Sequence, residues 1–501
     1  MARGEVRGDA RRAGRTRVAV FALLAALATV AVASASNPLR AISADPYTNA
    51  STQHKTQVEP DTFAWGSTIV ATFQSGRSFD GGSSNVVASV SRDGGTWWAK
   101  KWLPFTTYEG GAYPRASDPA VIYDARHDVW MVVALAVEEP PRGAAVFVSR
   151  STDGARTWQD PVTIAVSPGT FFDKSWITCD NWPQSPHYGN CYAEWDDNGL
   201  GNLLTMSTSS DGGLTWSSPV MPAGEPSGLG GVPLAQPNGN VIVPYTANYS
   251  SVSAFRSTDG GATWTSPVLV ASQIRHTPAG GVRALPLPSA EVDAAGKVYV
   301  AWEDCRFRSG CPSNDIVIST STDGVAWSAV QRVPIDATTS TVDHFMPGIA
   351  VDPARSGNSA RIGIGYYFYP VANCTSSTCQ LDFGFIGSSD GGATWSAPVQ
   401  LAGPVTLSWL ANTSQGRMAT DFTSTSFTAD GTAHPAFAIA HAPTGGVYDE
   451  FAATAGIDVA ALTSAGTVKA GGDIVRVRKK GRTPVGRPFL DDTPAWFPRA
   501  D

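Results

Sequence analysis

The chain has 501 residues, with 36 Lys and Arg against 43 Asp and Glu and a formal net charge of −7, a balance that excludes a general nucleic-acid binder. Only 16% of the residues are charged, while Gly (50), Pro (35) and Trp (16) are abundant, which suits many short strands joined by tight turns.

Residues 1–17 carry Arg3, Arg7, Arg11, Arg12, Arg15 and Arg17; Val18 to Val32 is an apolar run, and Ala33-Ser34-Ala35 offers a small-x-small cleavage site. This pattern predicts a secretory signal peptide over 1–35 and an extracellular mature protein. The run is short for a bilayer span of roughly 20 residues, and no other segment is suited to span one, so no membrane association is expected after cleavage. Cleavage takes away six basic and two acidic residues and leaves 30 against 41. The six cysteines form three close pairs, Cys179 with Cys191, Cys305 with Cys311 and Cys374 with Cys379. In an exported chain they predict three small disulfide loops, and their spacings make poor zinc sites.

From Ser91 onward one short stretch returns about every 60 residues: SRDGGTWW, STDGARTW, SSDGGLTW, STDGGATW, STDGVAW and SSDGGATW, with aspartates Asp93, Asp153, Asp211, Asp259, Asp323 and Asp390. The Asp accepts hydrogen bonds from backbone N–H groups just downstream, the Gly residues supply positive φ, and the Trp gives an apolar plate to pack against the next unit. These aspartates are therefore read as structural. Each box is preceded by β-forming runs such as Val129 to Ala136, Lys297 to Trp302 and Arg361 to Tyr369, so a four-stranded antiparallel unit repeats. Seven units open near Val58, Arg115, Asp173, Gly230, Arg283, His344 and Arg417, the last without a box.

The repeated S-x-D-x-G-x-T-W stretch resembles the Asp-box (BNR) repeat of the sialidase-like β-propellers. The resemblance implies an all-β propeller of four-stranded antiparallel blades, with chain-terminal strands closing the ring; six boxes plus one boxless unit favour seven blades, with six as the alternative. The expected layout is a signal peptide (1–35), an N-terminal segment (36–57), the propeller (58–465) and a C-terminal tail (466–501), basic from Arg476 to Arg482. One closed repeat array of this kind holds a long chain in a single body, expected to be a monomer.

In such a fold the first strands line a central channel, so the unit openings become the place to look for chemistry. They carry Glu59, Arg115, Asp118, Asp173, Lys174, Trp176, Arg283, His344 and Arg417. Arg forks pair with carboxylates and aromatic faces cover sugar rings. Glu59, Arg115, Trp176, Arg283, His344 and Arg417 are thus expected to bind substrate, and Asp80, Asp118 and Asp173 to supply acid or base chemistry. The sialidase pattern is incomplete. Val58-Glu59-Pro60 stands in place of Arg-Ile-Pro, Leu287-Pro288 in place of Glu-Pro with Glu291 several residues late, and Tyr366 and Tyr367 sit in a run that reads as a buried strand. The insert Cys179 to Cys191, with Trp182, His187 and Tyr188, forms either a rim of the binding mouth or a stapled surface loop. No cofactor is expected; a ring of carboxylates can hold Ca²⁺, but no acidic loop identifies such a site. The expected function is an exo-acting glycoside hydrolase on terminal sugars of extracellular glycans, sialic acid among the possibilities. A noncatalytic glycan- or protein-binding propeller and a polysaccharide lyase are the alternatives.

Overall fold

Antiparallel strands account for nearly all of the regular structure in the computed structural model, which describes residues 37–140 and 142–469 together with Met1. The proposed signal peptide and the basic stretch of the tail lie outside the described residues. Among the described residues the α-helix Val459–Ser464 is short, and no helix is long and apolar enough to cross a membrane.

The strands run in successive hairpin-connected sets whose first members are Gln53–Trp65, Arg115–Asp124, Phe172–Cys179, Leu234–Ala235, Ser289–Val292, Asp343–Val351 and Ser424–Phe427. The first two sets are joined by a single pair, Ser83 with Ala116. In the third set, Met206 and Leu203 bridge to Val220 and Ser227 where a regular fourth strand would run. The first strands pack against one another in chain order, and Ser424–Phe427 packs against Gln53–Trp65. The expected openings Val58, Arg115, Asp173 and His344 fall inside first strands, whereas Gly230, Arg283 and Arg417 lie in the segments leading to theirs.

Within the N-terminal segment 36–57, Asn37–Ala41 pairs antiparallel with Glu450–Asp458 as the outer strand of the last set, and the first strand of the first set begins at Gln53. A chain-terminal strand does cover the last edge, as edge protection requires. At the other end, Thr467–Lys469 pairs with Thr394–Ser396.

In all six boxes the Ser hydroxyl donates to the Asp carboxylate, which accepts from backbone N–H groups downstream. In the fourth, Ser257 Oγ donates to Asp259 Oδ1 at 2.8 Å and accepts from Gly261 N at 2.9 Å, while Thr263 N donates to Asp259 Oδ1 at 3.0 Å. Gly260 and Gly261 adopt φ of 71° and 86°, which a side chain resists. Slight burial works against ionisation, but the hydrogen bonds from Thr263 and Ser257 outweigh it and hold the Asp259 carboxyl below the usual carboxylate range. The box tryptophans pack on the preceding set rather than the next one. Trp264 lies edge-on to Tyr192, 6.2 Å between centroids, and Trp395 clusters with Tyr299 and Ile318. Trp98 of the first set shares a cluster with Ile42 and with Ala452 of the last. The core is thus a series of apolar layers between neighbouring sets. The three expected disulfides, Cys179–Cys191, Cys305–Cys311 and Cys374–Cys379, are all present.

Starting the chain at Ile42 instead of Ser36 exposes the unpaired edge of Glu450–Asp458. The shortened protein is expected to melt several degrees lower and to self-associate, as read by differential scanning fluorimetry and light scattering. An unchanged melting temperature would show that the strand is dispensable.

Candidate functional site

Four first strands share a local irregularity. Register slips between Val58 and Asp61, Ser117 and Ala120, Asp173 and Trp176, and Phe345 and Gly348. The residue inside each slip has left-handed φ: Glu59 53°, Asp118 47°, Lys174 49° and Met346 48°. These are β-bulges, which re-aim a side chain at the cost of a ladder bond. Three of the four residues precede a proline, which has no N–H to donate.

The first three bulges bring Glu59, Asp118 and Lys174 together. Lys174 Nζ lies 3.2 Å from Asp118 Oδ1 and 3.8 Å from Glu59 Oε1, and it also donates to Asp421 Oδ2. Arg283 donates to the same Asp421 oxygen, Gln74 donates to Glu59, and Arg77 donates to Gln74 Oε1 at 2.9 Å. Glu59, Asp118, Lys174 and Asp421 are all buried. Burial opposes every charge in this group, but the Lys174 ammonium outweighs it for Asp118, and Arg283 with Lys174 does so for Asp421, so both carboxyls stay below their ordinary range. Burial, joined by repulsion from Asp118, pushes Glu59 well up. Lys174 itself is raised, because four carboxylates overcome its desolvation. The carboxylates Glu59, Asp118 and Asp421 lie close enough to share one cation, and the Lys174 ammonium takes that place.

Beside this cluster stands a second group of acids. Asp173 is half-buried and pairs across the strands with Asp196; such neighbours have Cβ atoms about 4.5–5.5 Å apart. Burial, with repulsion from Asp118, lifts the Asp173 carboxyl to about 6 against the pull of Lys174 and Arg283. Asp196 and Glu194 have no exposed surface, and none of their carboxylate oxygens has a hydrogen-bond partner among the described residues. Burial raises both well above the ordinary value, and Asp173 adds to the effect on Asp196. Tyr249 is 46% exposed at the tip of the Val241–Ala247 and Ser251–Ser257 hairpin, where it and Asn248 adopt φ of 53° and 52°. Burial and then the charges of Asp196 and Asp173 disfavour its phenolate. The group therefore offers one accessible carboxyl poised near neutrality and one accessible phenol, backed by a buried ion cluster.

Other expected residues go elsewhere. Arg115 is held by Asp80 at 2.6 Å and by Glu139, so both Asp80 and Arg115 are engaged with each other and not with the Lys174 cluster. His344 is 2% exposed, its ring 5.5 Å from that of Tyr366 and its Nδ1 3.1 Å from Asn314 O. It precedes its bulge by two residues and packs between strands, which removes it from any mouth. Arg417 donates to Leu410 O at 3.0 Å, and its carbonyl accepts from Arg283 N at 2.7 Å, so its backbone braces Arg283. Asp118, paired and buried, offers no surface for acid–base work. Trp176 meets Phe422 edge-on at 5.0 Å. In the Cys179–Cys191 insert, Trp182 donates to Ala235 O at 2.7 Å and Arg126 donates to Tyr188 O, so the loop is tied to the body. Tyr366 and Tyr367 are fully interior, Tyr367 donating to Ala438 O.

Asp196, Tyr249 and Asp421 were not anticipated. Asp196 and Tyr249 sit on a second strand and a hairpin tip, away from the unit openings. The acids inside the apolar strand of Cys191–Asp197, Glu194-Trp195-Asp196, are the available sequence signal.

No family model and no curated protein matches the chain. Solved structures similar to it include a protein of unknown function from Dyadobacter fermentans, at 16% identity over 70% of this chain and 99% of that one, TM-score 0.44. They also include the NanB sialidase from Streptococcus pneumoniae, at 14% identity over 85% and 71%, TM-score 0.40. A third is a PL25 ulvan lyase, at 11% identity over 83% and 97%, TM-score 0.48. Likeness at this level assigns no activity.

Two substitutions test the electrostatics. Lys174→Met strands the buried carboxylates without their cation and is expected to cost about 3–5 kcal/mol in urea unfolding. Asp196→Asn is expected to do the reverse. An unfolded Asp ionises near 3.9, whereas the folded Asp196 keeps its proton to higher pH, so its stabilising contribution is lost as pH rises from about 4 through the folded value. The variant should be more stable than the parent at pH 8, with the difference shrinking towards pH 4.

Proposed function

We propose that the chain is a secreted, seven-bladed, sialidase-like β-propeller that hydrolyses terminal sugars of extracellular glycans. The blade count is supported by the order in which first strands touch and by the pairing of Asn37–Ala41 with the last set. Secretion is supported by the N-terminal pattern and the three disulfides.

The observation that carries the reading is Asp173, a half-buried carboxyl lifted to about 6 whose charge is felt by the 46% exposed Tyr249. A carboxyl with this affinity protonates a glycosidic oxygen near neutral pH, and Tyr249 supplies the second group that touches the sugar. Asp196, paired across the strands with Asp173, holds its own proton through burial and then through the Asp173 charge. Lys174, Arg283 and Asp421 form a fixed floor that needs no rearrangement during reaction. Arg115 is held by the carboxylates of Asp80 and Glu139 and Arg283 by buried Asp421, Arg275 lies 3.2 Å from Glu303, and the Arg417 guanidinium donates to Leu410 O and to the Tyr448 hydroxyl. A site so supplied favours neutral sugars over an acidic one, which would need free arginines.

The test is release of fluorophore from a panel of neutral and acidic glycosides by protein beginning at Ser36. Turnover is expected, with kcat/KM falling as pH rises through about 6 because the protonated Asp173 is the active form. Asp173→Asn should lower it by roughly 10²-fold or more. Absence of turnover across the panel would leave a binding protein and end the hydrolase reading.

A further inference from the structure

The second halves of the first strands line a cavity of about 740 Å³, and neither Asp173 nor Tyr249 is among its lining residues. Its lining draws on every first strand, with Lys174 at its inner limit and with Trp65, Pro183, Pro353 and Ala429 exposed at the rim. Three indoles, those of Trp65, Trp176 and Trp182, and the Phe422 ring form much of the wall. The position of Trp182 is fixed by its hydrogen bond to Ala235 O, and that of Trp176 by its contact with Phe422.

Two carboxyl groups reach this space from different sets. Asp61, 3% exposed, accepts from Val121 N at 2.7 Å, and half-buried Glu291 accepts from Val292 N at 3.4 Å. Burial, and to a lesser extent the charge of Asp61, disfavours ionisation of Glu291, and burial does the same for Asp61. Neither lies within ion-pair distance of a cationic side chain among the described residues. The one ammonium in the lining, Lys174, is engaged by Asp118 and Asp421, and the remaining lining acid, Asp352, has Arg355 at 3.2 Å. An aromatic-walled space with two acids and no available cation is complementary to an organic cation: burial lifts Asp61 to about 7 and Glu291 to about 8, a bound cation favours their ionised forms, and the indole faces supply cation–π attraction.

We propose that this cavity binds a small organic ammonium ion carrying an apolar body, with its charge between Asp61 and Glu291 and its body against Trp176 and Trp182. The site is separate from the Asp173 group and does not depend on the hydrolase reading. Wild-type protein beginning at Ser36 is titrated with benzylammonium and, in parallel, with the neutral isostere benzyl alcohol, followed by calorimetry and tryptophan fluorescence. Saturable one-site binding of benzylammonium is expected, at least about tenfold tighter than that of the alcohol. Glu291→Gln should remove most of this preference, and Trp176→Ala should weaken benzylammonium binding, both with unchanged circular dichroism. Equal affinity for the two compounds, no saturation by benzylammonium, or an unaltered preference in folded Glu291→Gln would overturn the proposal. The comparison within the wild type holds even where a variant fails to fold.

Discussion

One ammonium group holds the centre of this molecule together. Lys174 comes from the third set of strands, Glu59 from the first and Asp118 from the second, while Asp421 leads into the last and is shared with Arg283 ahead of the fifth. Burying a lone charge costs several kcal/mol, and so does burying each of its partners, so the arrangement persists only because all of them arrive together. Apolar layers between sets are tolerant of small shifts, since dispersion is non-directional. The ion cluster is not: moving one set by an ångström would leave a carboxylate without its cation. It therefore fixes how sets distant in sequence meet.

The bulges make that meeting possible. In a regular strand, side chains alternate between the two faces and pack against the neighbouring sets. A left-handed residue interrupts the alternation, and at Glu59, Asp118 and Lys174 the same interruption occurs in successive sets. The fourth bulge carries Met346 instead of a charge, and its neighbour Phe345 is buried among apolar residues. The repeat unit thus contributes a position, and the residue type at that position decides whether a set joins the ion cluster or the core.

This explains what was legible in the sequence. The boxes were readable because the contacts that close their turn are local: a Ser, an Asp and a Thr within seven residues, as in Ser257 to Thr263. The cysteine pairs were readable for the same reason. First strands could be placed from β-forming runs, and Glu59, Asp118, Asp173 and Arg283 were found because they stand at the openings. Asn37–Ala41 was missed because its partner lies some four hundred residues away and nothing in five residues names it. His344 was misplaced because it stands at an opening but two residues before a bulge, and that offset turns it towards Tyr366. Asp196 and Tyr249 escaped because a reading confined to the openings assigns no place to a second strand or a hairpin tip.

The distribution of unsatisfied charge separates architecture from chemistry. Architectural acids here have donors: the box aspartates accept from backbone and hydroxyl groups, and Asp315 accepts from Arg308. Asp196 and Glu194 do not, although each sits where a Leu or Met would give greater stability. Asp196 pairs across the strands with Asp173, the carboxyl of this group that reaches solvent, and burial and then the Asp173 charge keep Asp196 protonated. Stability is thus given up beside the ion cluster, at two buried carboxyls that no donor satisfies.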